Sequence, residues 1–348
     1  MNYISRCIPM GALPYEAEPS IIRMMTKLFA DIPYLPLLPK MEPNKTLFYR
    51  TLDKVPGIVF QGKGFTLVPR SKVLEEQFNA LDKVFNNPNM ELLEPYAVES
   101  VFMEKFLEII KKFKPKEACI NFIGPFTISQ MLNGAADDQL LLDKYYRKIF
   151  IQAICVRALW AVEKVKQYCP TTKLIVMFEE PLLNKFGVLK RENEEVTAEL
   201  ITNMFARIIE KIHSAGGLVA IHCNDKCDWR IPIDAGVDIV SFDAYNNPNS
   251  LSIIPEIVEN FLANGGRINW CIIPVMTENM VKTITTETVA KRLFATFDSL
   301  VNAGVPSNLV YNTASVSLQG DVDNLPLLFA EKALMIEQQL SKKIPLQQ

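Results

Sequence analysis

Short, unbroken apolar runs recur along this chain between longer amphipathic stretches, and that rhythm restricts the fold more than any other feature. The runs fall at 7–13 (CIPMGAL), 57–60 (GIVF), 118–124 (ACINFIG), 173–179 (KLIVMFE), 217–223 (GLVAIHC), 237–243 (VDIVSFD), 267–274 (RINWCIIP) and 308–313 (NLVYNT). Their continuous Val, Ile, Leu and Phe content, without strict alternation, is the pattern of strands covered on both faces of a parallel sheet. Parallel neighbours require a crossover, usually a helix. Helical periodicity is clearest over 139–168, where Leu142, Tyr146, Ile149, Ala153, Val156 and Trp160 fall three or four residues apart, a stripe read as core packing. Eight strands, each followed by helical material, predict an α/β fold: a (β/α)8 TIM barrel with N-terminal and helical insertions, the largest at 71–113. No Ser/Gly-rich or low-complexity linker divides the chain, so residues 1–348 are expected to form a single domain. An open doubly wound sheet is the weaker alternative, because no Gly-rich dinucleotide loop follows any run.

Composition narrows the function classes. A 49% hydrophobic content is ample for a large core. The 37 basic and 39 acidic residues nearly cancel and no dense Lys/Arg cluster occurs, which argues against a nucleic-acid partner. No run of about 18 apolar residues is present, and the opening MNYISRCIPMGALPYEAEPS lacks the apolar core of a signal peptide. No membrane span and a cytoplasmic setting are therefore expected. Seven cysteines without framework spacing are expected to be free thiols, most of them filling space in the core.

On a barrel, chemistry gathers where strands end. There the sequence places Gly11 to Tyr15, Gly124 to Thr127, Glu179-Glu180-Pro181, His222 to Asn224, Asp243-Ala244-Tyr245, Cys271 to Pro274 and Asn312 to Ser315. The stretch GLVAIHCNDKCDW (217–229) sets one of two histidines beside two cysteines, the outline of a soft metal site. Neighbours on a strand face opposite ways, so Cys223 is expected to point away from His222, whereas Cys227 lies in a loop and could bend back.

The order of these strand ends resembles the superfamily of uroporphyrinogen decarboxylase and cobalamin-independent methionine synthase, with the corrinoid and coenzyme M methyltransferases. It is most similar to bacterial methionine-synthase-like proteins. The resemblance rests on GALPY (11–15), DIPYLPLLP (31–39), IGPFTIS (123–129), MFEEPLL (177–183), HCNDKCDW (222–229), FDAY (242–245) and INWCIIPV (268–275), and spans almost the whole chain. It implies methyl transfer to a small thiol, with a folate or corrinoid methyl donor and a zinc ion, the one cofactor implied. It also implies substrate contacts from Tyr15, Glu180, Asn224, Trp229 and Tyr245.

In those methyltransferases zinc holds the acceptor as a thiolate, which calls for sulfur ligands and an open coordination position. By position, His222 matches the family's histidine ligand and Asp243 falls near its glutamate, but Asn224 and Ala314 stand where the two cysteines belong. A rearranged set of His222, Cys227, Asp243 and Cys271 is the remaining way to hold zinc. Ala12, Tyr15, Leu35 and Leu37 replace polar family residues, and Glu179 replaces the substrate-binding aspartate with a longer carboxylate. Two readings follow. One is a methyltransferase with an eroded zinc site and Glu179, Asp243 and His222 as catalytic groups. The other is a catalytically inactive homologue that binds a small molecule or a partner subunit. Uroporphyrinogen decarboxylation is a weaker third, since the first 30 residues offer only Arg6, Arg23 and Lys27 to an octacarboxylate.

Overall fold

A computed structural model describes residues 6–62, 64–132 and 140–347. Seven strands form one wholly parallel sheet in sequence order: β1 (Tyr34–Leu35), then, after a separate hairpin of β2 (Ile58–Gln61) and β3 (Gly64–Leu67), β4 (Glu117–Ile123), β5 (Lys173–Glu179), β6 (Leu218–Cys223), β7 (Ile239–Phe242), β8 (Arg267–Ile273) and β9 (Ala314–Leu318). Helices cross between successive strands, the longest being Lys144–Tyr168, whose central turns are buried almost all round. No helix among the described residues is long and apolar enough to cross a membrane.

Five of the eight expected runs are strands of this sheet. GIVF instead pairs antiparallel with Gly64–Leu67 and stays half exposed, because the Gly-containing turn directly after it returns the chain on itself. NLVYNT is also not a strand. Pro306 caps a short helix over Ser307–Asn312, its carbonyl taking the amides of Leu309 and Val310, and the strand begins at Ala314. Ala314 therefore opens β9 rather than ending a strand. The sheet's first strand is the two-residue Tyr34–Leu35, kept short by Pro33 and Pro36, which have no amide hydrogen to give a ladder. The run at 7–13 makes isolated parallel bridges, Cys7 with Val316 and Ala12 with Leu37, so residues 6–13 hydrogen-bond to both ends of the sheet.

Register explains what the sheet presents on each face. Paired residues of neighbouring strands share a face, and Ile123, Glu179, His222, Ser241, Asn269 and Ser315 form one continuous row across six strands. On the other face Phe242 and Trp270 carry a ring ladder to Phe297 of the helix Thr286–Asn302, so that face is covered by helices and the polar row lies on the concave side. The curl is visible in one ion pair. Glu117 opens β4 and Arg267 opens β8, with three strands between them, yet Arg267 Nη1 lies 3.0 Å from both carboxylate oxygens, with both residues 5% exposed. A flat sheet would hold these strands about 19 Å apart, so the contact requires the sheet to wrap round its interior.

Removing one partner of a buried pair leaves an uncompensated charge. Arg267→Met is expected to lower unfolding free energy in urea by roughly 3–5 kcal/mol, and adding Glu117→Leu to recover most of it. An Arg267→Met protein as stable as the parent would contradict this role.

Candidate functional site

The site is the end of the sheet at which the strands finish. Glu179 is the last residue of β5 and keeps some solvent contact, while Asn121, two residues before the end of β4, donates through Nδ2 to Glu179 Oε1 at 2.8 Å. Burial raises the Glu179 carboxyl to about 7, the Asn121 hydrogen bond and the more distant Arg50 guanidinium pulling the other way. A carboxyl in that range exists in both protonation states at neutral pH, so it can act as acid, base or cation receptor.

Next in the row, His222 is 2% exposed and hydrogen-bonded through both ring nitrogens. Nε2 faces Asn224 Oδ1, and Nδ1 lies 2.9 Å from Ser241 Oγ. Asn269 Nδ2 donates to that same Ser241 oxygen at 2.9 Å. These partners assign the tautomer: Nε2–H donates to Asn224, and the single ring lone pair, on Nδ1, accepts the Ser241 hydroxyl hydrogen. Burial lowers the ring to about 4, the Asn224 bond opposing. Cys271 Sγ sits 3.8 Å from Nδ1 and 3.5 Å from Ser241 Oγ, but burial pushes its thiol up to about 12. The pair is thus neutral imidazole beside neutral thiol, not a thiolate–imidazolium nucleophile.

Asp243, just past β7, accepts from the amide and Nδ2 of Asn246 at 2.9 and 2.7 Å and from Gln319 Nε2 at 3.0 Å. Beside this network two buried acceptors, Asn269 Oδ1 and Gln319 Oε1, have no hydrogen-bond partner. Orphaned acceptors this deep are costly unless a ligand or water donates to them.

Other expected site residues have different employment. Glu180 is fully buried, and its two oxygens accept the amides of Phe126 and Thr127 at 3.0 and 2.7 Å, capping the helix Pro125–Met131. Burial raises it to about 7, against those bonds. Its carboxylate is spent on the turn and is not available to a substrate. Trp229 is 1% exposed, donates to Ser250 and packs edge-on against Phe242 on the helix-covered face. Tyr15 is buried and donates to Glu331 on the helix Leu327–Ser341 at 3.2 Å. Tyr245 is half-buried under the Arg292 guanidinium, 4.1 Å from its ring centre. Asn224 is exposed and shields the histidine.

The donors proposed for zinc do not assemble. Cys223 lies on the face opposite His222, as strand geometry requires, and the partners of the ring are Asn224, Ser241 and Cys271 rather than Cys227. Among the described residues no three His, Cys, Asp or Glu side chains converge on a metal-sized space. Of the four, only His222 and Cys271 touch, and the ring nitrogen nearer the thiol already accepts from Ser241. Binding a cation there would require breaking that bond and ionising Cys271, so the residues present do not fit zinc.

Asn121, Ser241, Asn269, Ser317 and Gln319 were not singled out from the sequence. Their signal is alternation: RINWCII sets Arg267, Asn269 and Cys271 against Ile268, Trp270 and Ile272, and ASVSLQ sets Ser315, Ser317 and Gln319 against Val316 and Leu318. Period-two polarity inside a buried strand marks a wet interior. Compared with known proteins, the chain matches no protein-family model and no curated sequence.

A Cβ on Gly124 would stand 2.0 Å from Glu180 Oε1 and 2.3 Å from its Cδ, and the two amide bonds fix that carboxylate in place. Gly124→Ala is expected to cost roughly 1–3 kcal/mol in thermal or urea unfolding. An unchanged melting temperature would show that the Glu180 cap is not rigid.

Proposed function

We propose that this chain is a divergent, metal-free relative of methionine-synthase-like proteins, in which residues 6–13 close the curled sheet as the eighth strand of a (β/α)8 barrel. Its function is to bind a small polar molecule at the strand ends, in a cytoplasmic setting where its free thiols stay reduced. Zinc-dependent methyl transfer draws no support from the arrangement, because its histidine is saturated by neutral partners and its nearest thiol stays protonated.

The observation that carries this reading is the polar concave row, with Asn269 Oδ1 and Gln319 Oε1 left without donors beside it. The side chains offered to a ligand are acceptors: the Glu179 carboxylate and these two amide oxygens. A ligand rich in N–H or O–H groups, such as a small amine or polyhydroxylated molecule, complements them. Glu179 is the group with both solvent contact and a proton that can move at neutral pH, so it orients the ligand and exchanges a proton with it.

Elemental analysis of the purified protein is expected to find well under one zinc per chain. One tightly held zinc per chain, lost on Cys227→Ala or Cys271→Ala, would overturn the reading. The pH dependence follows from Glu179. Its carboxyl is protonated below about 7, so an ammonium ligand found by thermal-shift screening loses affinity as pH falls through that value, by up to about tenfold per pH unit. Glu179→Gln should flatten the profile and weaken binding above pH 7; a profile unaltered by that change would remove Glu179 from the site.

A further inference from the structure

Three buried polar atoms on the last two strands have no hydrogen-bond partner among the described residues: Asn269 Oδ1 on β8, Ser317 Oγ on β9 and Gln319 Oε1 just beyond it. Each of these residues is at most 4% exposed. Register puts them on one face. Asn269 pairs with Ser315 and Cys271 with Ser317, and Cys271 Sγ lies 3.5 Å from Ser241 Oγ in the concave row. Alternate residues of β9 from Ser315 onward therefore point into the same interior. Gln319 continues that alternation past the strand end, its amide donating to the Ile273 carbonyl of β8.

Both amide side chains are held by their nitrogen ends. Asn269 Nδ2 donates to Ser241 Oγ at 2.9 Å, and Gln319 Nε2 donates to Asp243 Oδ2 at 3.0 Å. Turning either amide over would set its oxygen against a carboxylate oxygen or against a hydroxyl whose hydrogen is committed to His222, so the free ends are acceptors. Ser317 differs in having a hydrogen to give as well as lone pairs to receive. From the strand ends inward the free groups thus read acceptor, hydroxyl, acceptor. Four residues of extended strand separate Gln319 from Ser315, the neighbour of Asn269, which makes the column roughly 13 Å long.

We propose that this column takes a linear polyhydroxylated molecule, an alditol or open-chain sugar, with its hydroxyls set against Gln319, Ser317 and Asn269. The inference rests on the strand-end binding reading given above and narrows its ligand class. A hydroxyl both donates and accepts, so successive hydroxyls can give hydrogens to the two amide oxygens while one of them receives the Ser317 hydrogen. An ammonium group only donates and leaves the Ser317 hydrogen unmatched; a carboxylate only accepts and fails at both amide oxygens. A chain of about six carbons, with a hydrogen bond of about 2.8 Å at each end, spans the column.

The test titrates the full-length protein with sorbitol and with hexane-1,6-diamine, a chain of equal length without hydroxyls, by isothermal titration calorimetry. Sorbitol is expected to saturate one site per chain and to bind at least about tenfold more tightly than the diamine. Ser317→Ala should weaken sorbitol roughly fivefold, the loss of one hydrogen bond, and Gln319→Met by a similar factor. The ligand-free Ser317→Ala protein should melt no lower than the parent, because the hydroxyl it removes has no partner to lose. Diamine binding that weakens with Glu179→Gln, beside sorbitol that does not bind, would overturn the polyol assignment and leave the strand-end reading standing. Failure of both probes would also overturn the assignment. Sorbitol binding unchanged by Ser317→Ala and Gln319→Met would overturn the column as its site.

Discussion

The contact between Glu117 and Arg267 across the interior sets the geometry on which everything else depends. These residues open strands with three others between them, and their ion pair is satisfied only if the parallel sheet wraps round. Wrapping creates a concave face that helices cannot reach, and the side chains on it must then satisfy one another or a ligand. At the strand starts a charged pair does this. Toward the strand ends the row from Glu179 through His222, Ser241 and Asn269 does it with hydrogen bonds. The outer face solves the same problem conventionally, with Phe242, Trp270 and Phe297 stacked against helices.

The row also explains why the outline of a metal site does not become one. An imidazole has one lone pair, and here Ser241 occupies it while Asn224 takes the ring hydrogen. The Asn224 amide oxygen fixes the tautomer and holds the histidine inward as a neutral strut. Burial acts in the same direction on ring and thiol, favouring the uncharged form of each. Glu179 differs because it keeps solvent contact while burial raises its carboxyl to about 7.

The buried runs from ACINFIG to RINWCIIP were legible in the sequence because each is long, apolar and bounded by helical periodicity. The ends of the sheet were not. DIPYLPLLP contributes only two strand residues between prolines, GIVF carries the same composition as a core strand but is followed by a turn, and NLVYNT is closed into a helix by Pro306. In the site, the opposite facing of Cys223 followed from strand period alone, whereas Glu180, expected to meet a substrate, caps a helix start instead. The destination of Cys227 depended on a loop, where sequence fixes no direction. The full polar row emerged only with register, since a serine or asparagine in an apolar strand acquires meaning when its neighbours on adjacent strands are also polar.

The central claim is that His222 is a neutral, doubly hydrogen-bonded member of this row rather than a vacant ligand. With two histidines in the chain, nitrogen-15 NMR of labelled protein separates the His222 ring from that of His213, and His222→Gln assigns it. The ring is predicted to carry its hydrogen on Nε2, to remain neutral as pH is lowered until about 4, and to keep its shifts when zinc is added. Titration near 6.5, the ordinary histidine value, or a zinc-induced shift at either ring nitrogen would contradict the account.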